Sequence, residues 1–253
     1  MIQILQSNFF HYHEENGKKV ANKFDNTNGI VDQIKDSLKN TNTILFIASS
    51  PDDVERIEKY SSLIFEGLRL SGIEFKECLK LDNRTIDKVD EYISKADLIF
   101  LSGGDTYIQN EFFNKIDLKN KLVNYDGLVI GQSAGAINMA CDAYNSPEHM
   151  EESEPIFFKG LGLTDINVEP HFVYDETDFT KEEVYQRKSM IDESYNRNIY
   201  GQCDGSHVII DENGIATICG ETYLISQGEV TKICSNGESV KLKRLSRWFC
   251  VSV

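Results

Sequence analysis

Positive charge is scarce in this chain. Twenty-six basic residues stand against 41 acidic ones, a net charge of −15 over 253 residues. An acidic body repels phosphate backbones and anionic lipid surfaces, so nucleic acid and membrane are not expected as partners. Paired cysteine motifs are also missing. Cys78, Cys141, Cys203, Cys219, Cys234 and Cys250 form no CxxC pair and no dense framework, which predicts reduced thiols and no metal site. No apolar run approaches the roughly 20 residues that cross a bilayer. Residues 1–7 lack the charged-then-apolar form of a signal peptide, so a cytoplasmic location is expected. With only four prolines, no Pro/Gly/Ser linker and no low-complexity block, residues 1–253 are expected to form one α/β domain.

What the chain does have is a strand–helix rhythm. Residues 42–49 are a continuous apolar run of the kind buried parallel strands show. A helix is predicted to about residue 70, then a strand over 73–80, a helix over 84–94 and a strand over 97–101. Helical residues 106–115, an apolar run over 127–130 and a helix over 134–141 follow. A further helix fits 28–39, although the first 40 residues are otherwise polar and ambiguous. This alternation implies a mostly parallel sheet flanked by helices. Residues 143–160 read as an acidic surface loop and 181–195 as a helix. From residue 198 the texture changes to short runs separated by turn residues, which predicts antiparallel hairpins that extend or cap the sheet.

The sharpest local feature is Gly131-Gln132-Ser133-Ala134-Gly135, placed behind the run Gly127-Leu128-Val129-Ile130. A serine with glycine two residues to either side, between strand and helix, has the form of a nucleophile elbow. A free hydroxyl is essentially un-ionised at neutral pH, so Ser133 requires a base. Among five histidines, His171 is the candidate: it follows Glu169-Pro170 at a strand end, where proline favours one orientation. His11 and His13 are expected to face solvent, His149 to lie in the acidic loop, and His207 to be a structural or rim residue. The base in turn needs an acid. Asp204, in Cys203-Asp204-Gly205-Ser206, is favoured, with Asp175 and Glu176 as rivals. Ala134 and the pair Gly103-Gly104 can offer backbone N–H groups to a developing oxyanion.

Ser-Gly-Gly-Asp-Thr at 102–106, Gly-Gln-Ser-Ala-Gly-Ala at 131–136, Glu-Pro-His-Phe at 169–172 and Cys-Asp-Gly-Ser at 203–206 together resemble the peptidase E (aspartyl dipeptidase) family. The likeness covers residues 40–235. It implies a flavodoxin-like, class I glutamine amidotransferase-like sheet and a serine exopeptidase acting on short peptides without metal or cofactor. On this resemblance Ser133 is the nucleophile, His171 the base, and Gly103, Gly104 and Ala134 the oxyanion donors. Asp204 stands where the dipeptidase has glutamate. The family's specificity arginine falls near Arg187, with N-terminal aspartate as the implied preference. The expected partners are a short peptide substrate and, if the chain assembles, a second copy in a homodimer. A cyanophycinase-like amide hydrolase and an inactive ligand-binding relative are the competing readings.

Overall fold

The computed structural model describes residues 1–147, 157–174 and 180–242. The chain enters the sheet at once through β1 (Ile2–Gln6), then forms the hairpin β2 (Tyr12–Glu15) and β3 (Lys18–Ala21). Next come α1 (Ile30–Ser37), β4 (Thr43–Ile47), α2 (Val54–Leu70), β5 (Glu77–Leu81), α3 (Val89–Lys95) and β6 (Leu98–Leu101). They are followed by α4 (Thr106–Lys115), α5 (Leu118–Lys121), β7 (Leu128–Gln132) and α6 (Ala134–Asn138). Short strands β8 (Asp142–Tyr144), β9 (Phe157–Lys159) and β10 (Asn167–Glu169) lead to α7 (Lys181–Glu193) and β11 (Ile199–Gln202). The last elements are β12 (His207–Ile210), β13 (Ala216–Cys219), β14 (Thr222–Ser226), β15 (Glu229–Cys234) and β16 (Ser239–Lys241).

The eight-stranded sheet runs β16-β13-β12-β1-β7-β6-β4-β5. Strands β5, β4, β6, β7 and β1 are mutually parallel, while β12, β13 and β16 extend the β1 edge antiparallel. Period-two alternation divides the side chains between two faces. From β4, Leu45 and Ile47 enter the core under α3 to α6, and Ile44 and Phe46 enter the core under α1 and α2. This is the mostly parallel α/β sheet flanked by helices that the rhythm implies.

Helix starts follow capping chemistry. Asp53 accepts from the Arg56 N–H and Asp105 from both Tyr107 and Ile108 N–H, while Thr180 and Glu183 form a reciprocal capping box on α7. A second sheet, β10-β11-β14-β15, packs with Met190 of α7 and Phe172 around a third core. The C-terminal hairpins therefore divide between extending the main sheet and building the second one.

Four readings need correction. Residues 2–6 are a central strand, not ambiguous coil, because Ile4 and Leu5 are completely buried between β7 and β12. His11, expected to face solvent, is only 5 % exposed. Residues 143–160 are not all surface loop, since β8 and β9 pair and Tyr144 is fully buried. Cys78, Cys203, Cys219 and Cys234 are free thiols, but Cys141 is disulfide-bonded. No helix among the described residues is long and apolar enough to cross a membrane.

Candidate active site

Ser133 leaves β7 through a sharp turn and caps α6, with φ 49° and ψ −114°. A non-glycine residue held there costs on the order of 1–3 kcal/mol and persists only where its surroundings over-determine it. Two things do so. The Ser133 N–H donates to the Gln6 carbonyl at 2.9 Å, tying the turn to the end of β1. The flanking glycines meet backbone: a Cβ on Gly131 would lie 2.6 Å from the Gly135 backbone, and one on Gly135 only 2.2 Å from the Leu101 carbonyl oxygen. The glycine spacing is thus a steric requirement of β7 turning into α6 beside β6.

His171 occupies a left-handed conformation, φ 58°, directly after Pro170. Its Nε2 lies 3.1 Å from Ser133 Oγ and its Nδ1 2.7 Å from Asp204 Oδ1. The backbone around it is held from both sides. Phe172 N–H donates to the Gln202 carbonyl at 2.9 Å, and the Phe172 ring lies where a Cβ on Gly201 would sit, 2.6 Å away. On the other side, His171 N–H donates to Ser7 Oγ at 2.8 Å.

Ser7 Oγ donates in turn to Asp204 Oδ1 at 3.0 Å, and Asn8 Nδ2 donates to Asp204 Oδ2 at 3.1 Å. Burial alone would raise the Asp204 pKa. The hydrogen bond and charge of His171, with those from Asn8 and Ser7, outweigh it and hold the carboxyl below its ordinary value. Register explains the meeting: Gln6 pairs with Gln132 on one side and His207 on the other. The residues just after β1 therefore lie between the Ser133 turn and the turn before β12 that carries Asp204.

Ser133 and His171 open onto a cavity of about 230 Å³, whose wall includes Gly104, Thr106, Glu169, Gln186 and Arg187. Gly103 borders the serine closely, since a Cβ there would lie 3.4 Å from Ser133 Cβ. Its carbonyl accepts from Ser49 Oγ at 2.7 Å. Gly104 has φ 146°, and a Cβ there would come within 2.2 Å of Ser49 Oγ, so both dihedral and space require glycine. Ala134 opens α6, and its N–H has no intrahelical acceptor. Arg187 projects from α7 with its guanidinium carbon 5.1 Å from the Tyr174 ring centroid. Glu169 is 5 % exposed, and its Oε1 accepts from Ser146 Oγ at 2.5 Å and Gln186 Nε2 at 3.0 Å. Among the described residues no three His, Cys, Asp or Glu gather as a metal site.

Every residue singled out for the site thus borders one place: Ser133, His171 and Asp204 in one hydrogen-bonded chain, Gly103, Gly104 and Ala134 around the serine, Arg187 on the cavity wall. Sequence reasoning missed Ser7, Asn8, Ser146, Glu169 and Gln186. No local signal marked the first pair: Ser7-Asn8 follows Ile2–Gln6, whose two glutamines break the apolar pattern that would have announced a strand end. His149, Asp175, Glu176 and Cys250 lie outside the described residues.

Comparison with known proteins agrees with this architecture. The model of peptidase family S51 matches residues 17–218. A peptidase E of Nostoc sp. is 28 % identical over 155 residues, covering 57 % of this chain and 62 % of that protein. A probable alpha-aspartyl dipeptidase of Drosophila melanogaster is 26 % identical over 150 residues, covering 57 % and 59 %. The chain thus spans about three-fifths of the length of these curated relatives. Two crystal structures share the fold over nearly the whole chain. A peptidase from an acI-B1 actinobacterium has TM-score 0.68 at 16 % identity, covering 95 % of this chain and 96 % of its own. A putative peptidase E from Listeria monocytogenes has TM-score 0.55 at 19 % identity, covering 97 % and 98 %. The family match takes in the strained serine, the histidine and the aspartate alike, and on that breadth the chain belongs to peptidase family S51.

Proposed function

We propose that this protein is a serine exopeptidase of the dipeptidase type, hydrolysing short peptides through an acyl-enzyme formed on Ser133. The observation that carries the reading is the continuous chain Asp204–His171–Ser133, with spacings of 2.7 and 3.1 Å, at the mouth of a cavity. His171 Nε2 accepts the Ser133 proton as Oγ attacks the scissile carbonyl. The ionised Asp204 fixes the imidazole tautomer and stabilises its cation. Backbone N–H groups of Ala134 and of Gly103 or Gly104 hold the tetrahedral oxyanion, and His171 then protonates the leaving amine. Water activated on the same imidazole releases the acid.

The acyl residue occupies the cavity, where Arg187 provides a bidentate partner for a side-chain carboxylate and so a preference for N-terminal aspartate. One domain acting in the cytoplasm, alone or as a homodimer, completes the proposal. The test is a dipeptide library of Asp-X, Glu-X and neutral-X members with wild type, Ser133→Ala and Arg187→Ala. Turnover is expected to vanish in the first variant and the Asp-X preference in the second. Unimpaired hydrolysis by Ser133→Ala refutes the mechanism.

A further inference from the structure

The cavity accounts for the acyl side of a peptide bond, but a second crevice lies behind the same glycine loop. It is lined by Ser49, Ser50, Arg56, Tyr60 and Gly103, together with core residues Phe46 and Ile57. Those core residues belong to the α1/α2 face of the sheet, whereas Ile137 in the first cavity belongs to the opposite face. A chain crossing the sheet edge over Ser133 would therefore place its acyl residue on one face and its leaving residue on the other.

The Gly103–Gly104 loop connects the two sides over a short distance. A Cβ on Gly103 would lie 3.4 Å from Ser133 Cβ, and one on Gly104 would lie 3.6 Å from Arg56 Nη2. One residue of extended chain spans about 3.5 Å, so a peptide that ends one residue past the scissile bond ends beside this loop, within the swing of an exposed arginine.

The local field also favours an anion there. Lys19 Nζ donates to Tyr12 and Tyr60 hydroxyls at 2.6 and 2.9 Å, and the Arg56 guanidinium carbon and Lys59 Nζ lie 5.5 and 6.0 Å from the Tyr60 ring centroid. The Lys19 hydrogen bond, with the charges of Lys19, Arg56 and Lys59, holds the Tyr60 hydroxyl below the usual tyrosine pKa. Among the described residues no ion pair engages Lys19, Arg56 or Lys59. In a chain of net charge −15, three cations without an ion-pair partner thus gather at this crevice, beside the Asp53 carboxylate that caps α2.

We propose that Arg56 binds the free C-terminal carboxylate of the leaving residue, so that the site selects peptides ending one residue beyond the cleaved bond. This rests on the peptidase reading given above, and it explains dipeptide selection by a positive anchor at the carboxyl end. The substrate pair that tests it is Asp-Ala and Asp-Ala-amide, compared as a ratio within each variant. Wild type is expected to favour the free acid by about tenfold in kcat/KM, mostly through KM, the range of a partly exposed charge-assisted contact. Arg56→Ala should bring the ratio close to one. Arg56→Lys should retain part of it, because lysine supplies the charge without the planar fork.

A ratio that survives Arg56→Ala overturns the inference. Calorimetric binding of the same pair to Ser133→Ala protein, with and without Arg56→Ala, reads the contact independently of turnover. Equal binding of acid and amide to the Ser133→Ala protein overturns it too. Fluorophosphonate labelling separates the two claims. A wild-type protein that is not labelled at Ser133, yet distinguishes acid from amide through Arg56, refutes the peptidase reading and leaves the carboxylate site standing.

Discussion

Removing one hydroxyl from the end of β1 should damage both the fold and the reactivity of Ser133. Ser7 is fully buried, and its Oγ does two things at once: it accepts the His171 N–H at 2.8 Å and donates to Asp204 Oδ1 at 3.0 Å. In Ser7→Ala the His171 N–H loses its acceptor inside a left-handed turn, a cost of about 1–3 kcal/mol for an unsatisfied buried donor. For a chain of this size each kcal/mol corresponds to roughly 2–4 °C in Tm. A melting point lower by about 2–12 °C is therefore expected. The carboxylate also loses one of three hydrogen bonds, and His171 loses the contact that sets its height above Ser133. A charge-assisted bond is worth about 1.5–3 kcal/mol, so the second-order labelling rate of Ser133 by a fluorophosphonate should fall about 10- to 100-fold. The probe reports the nucleophile without knowledge of the substrate. A Ser7→Ala protein that labels within twofold of wild type and melts within 1 °C of it (both thresholds about the error of the assays) would show that β1 does not position the histidine and aspartate.

Glycine substitutions should separate along the contacts they would make. Gly135→Ala drives a methyl into the Leu101 carbonyl and should fail to accumulate as folded protein, whereas Gly103→Ala meets Ser133 Cβ at an ordinary 3.4 Å and should fold, as read by circular dichroism; equal yields would contradict the steric account. Acid should destabilise the protein through two buried histidines. Burial holds His207 at about 3, and burial with Lys19 nearby holds His11 at about 4. Below the unfolded value of about 6.5 the unfolded chain binds their protons and the folded one does not, so stability falls as pH drops from about 6.5 towards 4. The slope is about 1.4 kcal/mol per pH unit for each histidine, and a Tm that stays flat over that window would refute the burial argument. Asp204 acts in the same direction at lower pH, its stabilisation being present above the unfolded carboxyl value and lost as pH falls through the depressed folded one. Finally, Asp204→Asn should slow Ser133 labelling by more than tenfold across neutral pH, since an amide can impose the wrong imidazole tautomer; an unchanged rate would move the acid's role to another residue.

The sequence by itself determined the alternation of strands and helices between residues 42 and 141, because buried parallel strands are nearly continuous apolar runs that periodicity exposes. It also marked the serine turn, since glycines at Gly131 and Gly135 are a local demand of chain path that leaves a local trace. It did not show β1 as the strand between the parallel and antiparallel halves of the sheet: five residues, two of them glutamine, carry too little pattern to declare themselves. The burial of Gln6 and His207 side by side is a consequence of strand order, which no local window contains.

Only the tertiary structure decided the meeting of Ser7, Asn8, Ser133, His171 and Asp204, residues as far as 197 positions apart in the chain. Register brings them together. The ends of β1 and β7 lie level with the start of β12, and β10 and β11 deliver the histidine and aspartate turns to the same edge. The same holds for Arg56, an ordinary exposed helix charge in sequence, which lies beside the glycine loop because β4 and β6 are neighbours. Residue type sets what each group can do, and hydrogen-bonded strand order sets which groups can reach one another.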